Sequence, residues 1–161
     1  MRRLPRSQAG VALIEFAIAL PFLMMLAVGI VEMGRLAYYN ILVGNAAYAG
    51  AFYGSTDLKT ANNASGMRSA ALADGQNVPQ ISVSPSPTQT CACYDSSTGS
   101  ASSLSCSLNG STCASGTHRI IYVTVTVTGR VNTLFDYQPL GLPNPWTITR
   151  TATLRVSNTT E

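Results

Sequence analysis

The sequence predicts an α+β chain in which a long N-terminal helix, membrane-spanning in its first half, packs against a small antiparallel β-sheet that carries a disulfide-stapled loop. Three observations carry this reading. Residues 11–31 hold a single charge, Glu15, and about twenty apolar residues suffice for a helix to cross a bilayer core. Beyond them Leu36, Tyr39, Val43, Ala46, Gly50 and Tyr53 recur at steps of three and four, which is the spacing of one helical face. Near the other end Ile121, Val123, Val125 and Val127 alternate with Tyr122, Thr124, Thr126 and Thr128. Trp146, Ile148, Ala152, Leu154 and Val156 then alternate with Thr147, Thr149, Thr151, Thr153 and Arg155. This period of two belongs to half-buried strands.

Residues 1–10 read as a basic leader, with Arg2, Arg3 and Arg6 ahead of Gly10. Residues 11–54 read as a transmembrane and stalk helix, with a bend expected at Pro21, since a membrane helix accepts proline where neighbours re-satisfy the freed carbonyl. Basic residues precede the apolar run, whereas Arg35 after it is offset by Glu32. The positive-inside rule therefore puts the N-terminus in the cytoplasm and residues 55–161 outside it. An ordinary signal peptide would need a small-residue cleavage site soon after a short apolar core; Ala47-Tyr48-Ala49 lies too far along. From residue 11 to 53 the helix would be about 65 Å long, against about 30 Å of hydrocarbon. Gly29, Gly34, Gly44, Ala46, Ala47, Ala49, Gly50 and Gly54 permit close approach, either to the chain's own domain or to other subunits.

In the exported part, a second helix is expected over 56–73, ending at Asp74-Gly75, where glycine suits a C-terminal cap. A short strand at Ile81 and Val83 is closed by Pro85 and Pro87. Residues 85–117, rich in Ser, Thr and Gly, read as a loop that could not order itself unaided. They hold Cys91, Cys93, Cys106 and Cys113. On the exported side these are disulfide candidates. Cys91 and Cys93 are too close in sequence to pair without strain, so each joins Cys106 or Cys113, nested or crossed. A structural zinc site would need ligand pairs spaced C-x(2–4)-C, which C-A-C does not provide. Pro139, Gly141, Pro143 and Pro145 break regular structure between the last two strands. Arg150 interrupts the apolar face of the final strand and reads as a strand end, a bulge or a partner for Asp136.

Charged residues are 11% of the chain, against roughly 25% in ordinary soluble domains. Of the ten basic residues, three lie in the leader, and the remaining seven balance seven acids. No basic patch argues for nucleic acid. His118 is the single histidine and has no acid or nucleophile placed beside it in sequence; Asp57, Asp74, Asp95 and Asp136 are scattered singly. No catalytic residue, metal ligand set or cofactor is expected, and the chain reads as a non-enzyme.

One carboxylate stands out. A charge in hydrocarbon costs roughly 2.5 to 3.5 kcal/mol at mid-bilayer, so Glu15 calls for a cationic partner, and cleavage after Gly10 would create one on Val11. Gly10-Val11-Ala12-Leu13-Ile14-Glu15-Phe16, the following run through Pro21-Phe22-Leu23, and Gly29-Ile30-Val31-Glu32-Met33-Gly34-Arg35 resemble the TadE-like pseudopilins of tight-adherence (Flp-type) pilus systems. The resemblance implies a pilin-like fold and a processing site at Gly10 and Val11, cut by a prepilin peptidase. It implies that Glu15 is an assembly contact for a subunit's new amine. It implies an inner-membrane, single-pass protein with a periplasmic domain, meeting other pilins or pseudopilins, pilus assembly platform proteins and the lipid bilayer, and able to enter a pilus. Glu-Phe in place of the Glu-Tyr of major Flp pilins, and the greater length, point to a minor role. The competing reading is an uncleaved single-pass protein whose exported domain binds a partner or ligand.

Overall fold

The computed structural model describes residues 7–106, 113–135 and 143–157. The chain divides into two compact units, Met1–Ala37 and Tyr38–Glu161. Helix α1, Ser7–Ser55, supplies the described part of the first unit and the opening helix of the second, and it continues unbroken through Pro21. By length and composition it can cross a membrane, and none of its most apolar window is buried within the chain.

In the second unit, the stripe read from the sequence is the face that α1 buries. Val43, Ala46, Ala47 and Ala51 are buried in one core with Val83, Ile121, Val123, Val125 and Val127 of the sheet. Small residues bring helix and strand close. A Cβ on Gly50 would stand 2.8 Å from the Met67 carbonyl oxygen and 3.1 Å from Val125, and one on Gly54 would strike Met67.

The single helix expected over 56–73 is two. Helix α2, Leu58–Ala61, opens with a capping box: the Thr60 N–H donates to Asp57 Oδ1 at 2.8 Å, and the Asp57 N–H donates to Thr60 Oγ1 at 3.1 Å. Helix α3, Ala64–Asp74, starts afresh because Asn63 accepts from the Gly66 N–H at 2.9 Å. Short polar side chains bond their own backbone and so favour caps over helix interiors, which is why Asn62-Asn63 divides the segment. Asn63 Nδ2 also donates to the Tyr53 hydroxyl, tying α3 to α1. Gly75 stands at the C-cap as read, but with φ −83°. It is needed for space, since a Cβ would collide with Ile81 and approach Ala46. A 3₁₀ turn, Gly75–Asn77, follows.

The sheet is antiparallel throughout. β1 is Ser82–Val83, β2 Thr88–Asp95, β3 Ser100–Leu104, β4 Thr117–Val131 and β5 Trp146–Arg155. β4 is the spine: β5 pairs with residues 122–131 along one edge, so β2 against 117–124 and β1 against 127–128 share the other, and β3 pairs with β2. From Val83 to Thr88 the chain advances five residues while β4 advances three. The excess bulges at Pro85 and Pro87, where proline could not donate to the ladder.

Residues 85–117, read as a loop, therefore contain two strands. Cys91 and Cys93, both buried, share one face of β2 and supply the period-two signal, while Thr88 and Thr90 on the other face are exposed. Arg150 neither ends β5 nor forms a bulge; it occupies an ordinary register position opposite Val127 and is exposed. Asp136 lies outside the described residues, as do Pro139 and Gly141. On the outer face three cross-strand hydroxyl pairs join β4 to β5: Thr124 with Thr153, Thr126 with Thr151 and Thr128 with Thr149, at 2.9 to 3.1 Å. After β5 the Ser157 N–H donates to the Ser55 carbonyl, fastening the end of α1 to the sheet.

Candidate functional site

Gly10, Val11 and Glu15 all lie on α1. Gly10 has open space where a side chain would stand, Val11 is 58% exposed, and the Glu15 carboxylate is exposed. Val11 and Glu15 are four apart, which places them one above the other on a single helical face. A positive group at Val11 and a negative group at Glu15 would thus share one side of the helix start. Arg2, Arg3 and Arg6 lie outside the described residues.

A second carboxylate on the same helix, Glu32, enters the sequence reading through its charge beside Arg35 and within the Gly29–Arg35 stretch of the resemblance, with no site role assigned to it. Glu32 is 7% exposed, and Arg35 Nη1 approaches its Oε2 at 3.4 Å. The signal for this pair was the i, i+3 spacing, which makes neighbours on a helix surface. In a segment whose apolar residues are mostly exposed, a buried carboxylate held by a part-exposed guanidinium is a marked exception.

The four cysteines form two disulfides, Cys91–Cys106 and Cys93–Cys113. Of the two arrangements left open by spacing, the bridges are crossed. Their Cα separations of 5.2 and 5.6 Å lie at ordinary bridging distance. Together they tie β2 to the segment after β3 and to the approach to β4. Arg119, in register with Cys93, donates from Nη2 toward Cys91 Sγ at 3.6 Å.

His118, Asp57 and Asp95 each make local contacts. His118 stacks edge-on against Tyr94, ring centres 5.2 Å apart, across the β2–β4 pair. Asp57 is committed to its capping box, where the Thr60 N–H above all holds its carboxyl below the ordinary carboxylate range. Asp95 closes the β2–β3 turn: it accepts from the Ser97 hydroxyl at 2.6 Å and N–H at 2.8 Å, and the hydroxyl first of all lowers its pKa. Gly99, at φ +69°, completes that turn, a conformation that glycine adopts at no steric cost.

Residues 10–51 match the TadE-like protein family. The TadE-like stretch opens on Gly10, contains Glu15 and the Glu32–Arg35 pair, and runs along α1 to the buried Ala51. It includes all the residues on which the sequence resemblance rests, and it is consistent with a TadE-like protein of Tad pilus systems. Searches of curated proteins and of solved structures found no match.

Proposed function

We propose that this chain is a pilin-like structural subunit needed for assembly of a tight-adherence pilus. Its TadE-like segment is held in the bacterial inner membrane with the C-terminal domain in the periplasm, and a prepilin peptidase cuts the bond between Gly10 and Val11. The observation that carries the reading is the family match, which opens on Gly10 and takes in a carboxylate five residues on, in the stretch of helix, residues 11–27, whose residues are all exposed.

The chemistry follows from placement. Cutting after Gly10 makes an ammonium on Val11 at a helix N-terminus, where the macrodipole already disfavours positive charge. A carboxylate one turn away offsets that cost, as does the Glu15 of a neighbouring subunit. In low dielectric such pairing is strong once both charges are desolvated together, and it is weak in water. Glu15 thus favours the packed state of the helix over the isolated one. Pilins or pseudopilins, and the platform proteins that assemble them, are the partners this role requires.

N-terminal sequencing of the mature protein, with and without the peptidase, tests the processing step. A start at Val11 only when the peptidase is present is expected, and a start at Met1 in both would end the proposal. For assembly, Glu15→Ala is expected to be processed normally and excluded from the pilus complex.

A further inference from the structure

The glycines of α1 fall into two groups. Gly50 and Gly54 face Met67, Val123 and Val125, and the fold leaves no room there for a side chain. At Gly44 a Cβ would meet nothing within 4 Å, so packing within the domain does not account for it. Gly44 borders a second stripe, on the side of the helix turned away from the core. Tyr38, Ile41, Tyr48 and Phe52 are each more than half exposed, and Asn45 is exposed between them. The five recur at steps of three, four, three and four, the a and d spacing of a heptad with Tyr38, Asn45 and Phe52 at a and Ile41 and Tyr48 at d.

The composition of this seam says what covers it. Residues 36–56 carry no charge, so the seam and its flanks hold no ionic complement for a charged partner. Its one strongly polar member, Asn45, has an amide that is both donor and acceptor and therefore complements a copy of itself. A single asparagine at an a position fixes register between identical helices. Gly44 on one flank and Ala49 on the other allow two backbones to approach.

We propose that the seam of Tyr38, Ile41, Asn45, Tyr48 and Phe52 docks against the same seam of a second copy of this chain, parallel and in register, with Asn45 facing Asn45. The parallel orientation rests on the membrane anchoring of the proposed function: copies that enter from one bilayer through the same N-terminal segment meet side by side at equal depth. Five side chains make a small contact, weak between free molecules. Confinement to one membrane raises the effective concentration and makes it sufficient.

All four native cysteines are in disulfides and none is free, so one added cysteine reports alone. In membranes holding the full chain, Asn45→Cys and Tyr48→Cys are expected to form same-residue disulfide dimers under mild oxidation. The dimer fraction should stand about tenfold above that of Arg68→Cys, whose position is equally confined to the membrane but lies outside the seam. Adding Gly44→Leu to Tyr48→Cys starts a side chain from a Cβ that meets nothing within 4 Å, so the seam should be wedged apart, and a melting curve of the variant checks that the domain stays folded. Cross-linking should then fall to the Arg68→Cys level. Equal cross-linking at positions 48 and 68, or indifference to Gly44→Leu, overturns the proposal. Reading the mature N-terminus of the same samples separates the two ideas: a start at Val11 without seam cross-linking overturns the seam alone, and a start at Met1 with it upholds the seam while ending the processing step.

Discussion

Arg35 Nη1 stands 3.4 Å from Glu32 Oε2, three residues away on the same helix, and the carboxylate is nearly out of reach of solvent while the guanidinium is 30% exposed. Removing one member of such a pair takes a counter-charge from a carboxylate held largely out of water, whereas removing both costs less. Arg35→Gln alone is therefore expected to lower thermal stability in detergent more than the double substitution Glu32→Gln with Arg35→Gln. A double-mutant cycle should return a coupling of about 1 kcal/mol or more. Additive single effects would mean that the two side chains merely sit near each other.

The glycines of α1 should respond in opposite directions. Gly50→Ala gains helix propensity but drives a methyl against the Met67 carbonyl and the Ala71 methyl, 2.8 and 2.9 Å from the new Cβ. Overpacking of this kind costs about 1–3 kcal/mol and outweighs the roughly 1 kcal/mol by which alanine is the better helix former. Gly44→Ala meets nothing and should stabilise by up to about 1 kcal/mol. Paired melting curves decide the signs.

Crossed disulfides make a connectivity prediction and a stability prediction. Peptide mapping without reduction should recover Cys91 with Cys106 and Cys93 with Cys113, and no peptide joining Cys91 to Cys113. The bridges span 15 and 20 residues, so replacing either pair by serine should cost about 3 kcal/mol on loop-closure grounds. Losing both should cost less than the sum, because the loops overlap.

Acid should loosen the domain in part through Asp57 and Asp95. Both carboxyls titrate below the ordinary value in the folded chain, Asp57 chiefly through the Thr60 N–H and Asp95 chiefly through the Ser97 hydroxyl. A depressed folded pKa gives stability that is complete above the unfolded value, about 3.9, and lost as pH falls through the folded one. Melting temperatures of Asp57→Asn and Asp95→Asn are thus expected to fall less steeply than wild type below about pH 4. Parallel curves would show that the hydrogen bonds do not distinguish the charged carboxylate from the neutral acid.

Patterns that repeat along the chain were legible in the sequence by themselves. The apolar run of α1, the stripe through Val43, Ala46 and Gly50, and the alternation of β4 and β5 all express a local period, and a period is visible without knowing what it packs against. Gly10 and Glu15 stood out for the same reason, as departures from a local composition. Tertiary structure alone decided the rest. β2 forms because β4 offers an edge, and β3 pairs with β2 beside the Cys91–Cys106 bridge that ties β2 to the segment just after β3; the five residues of β3 carry almost no apolar signal of their own. Arg150 could look like a strand breaker in sequence because nothing there records Val127 opposite it. Which cysteine joins which, and which glycine of α1 has a neighbour, are pairings between residues remote along the chain. Such pairings are set by the packing of β4 against α1 and β2, which the order of residues encodes only collectively.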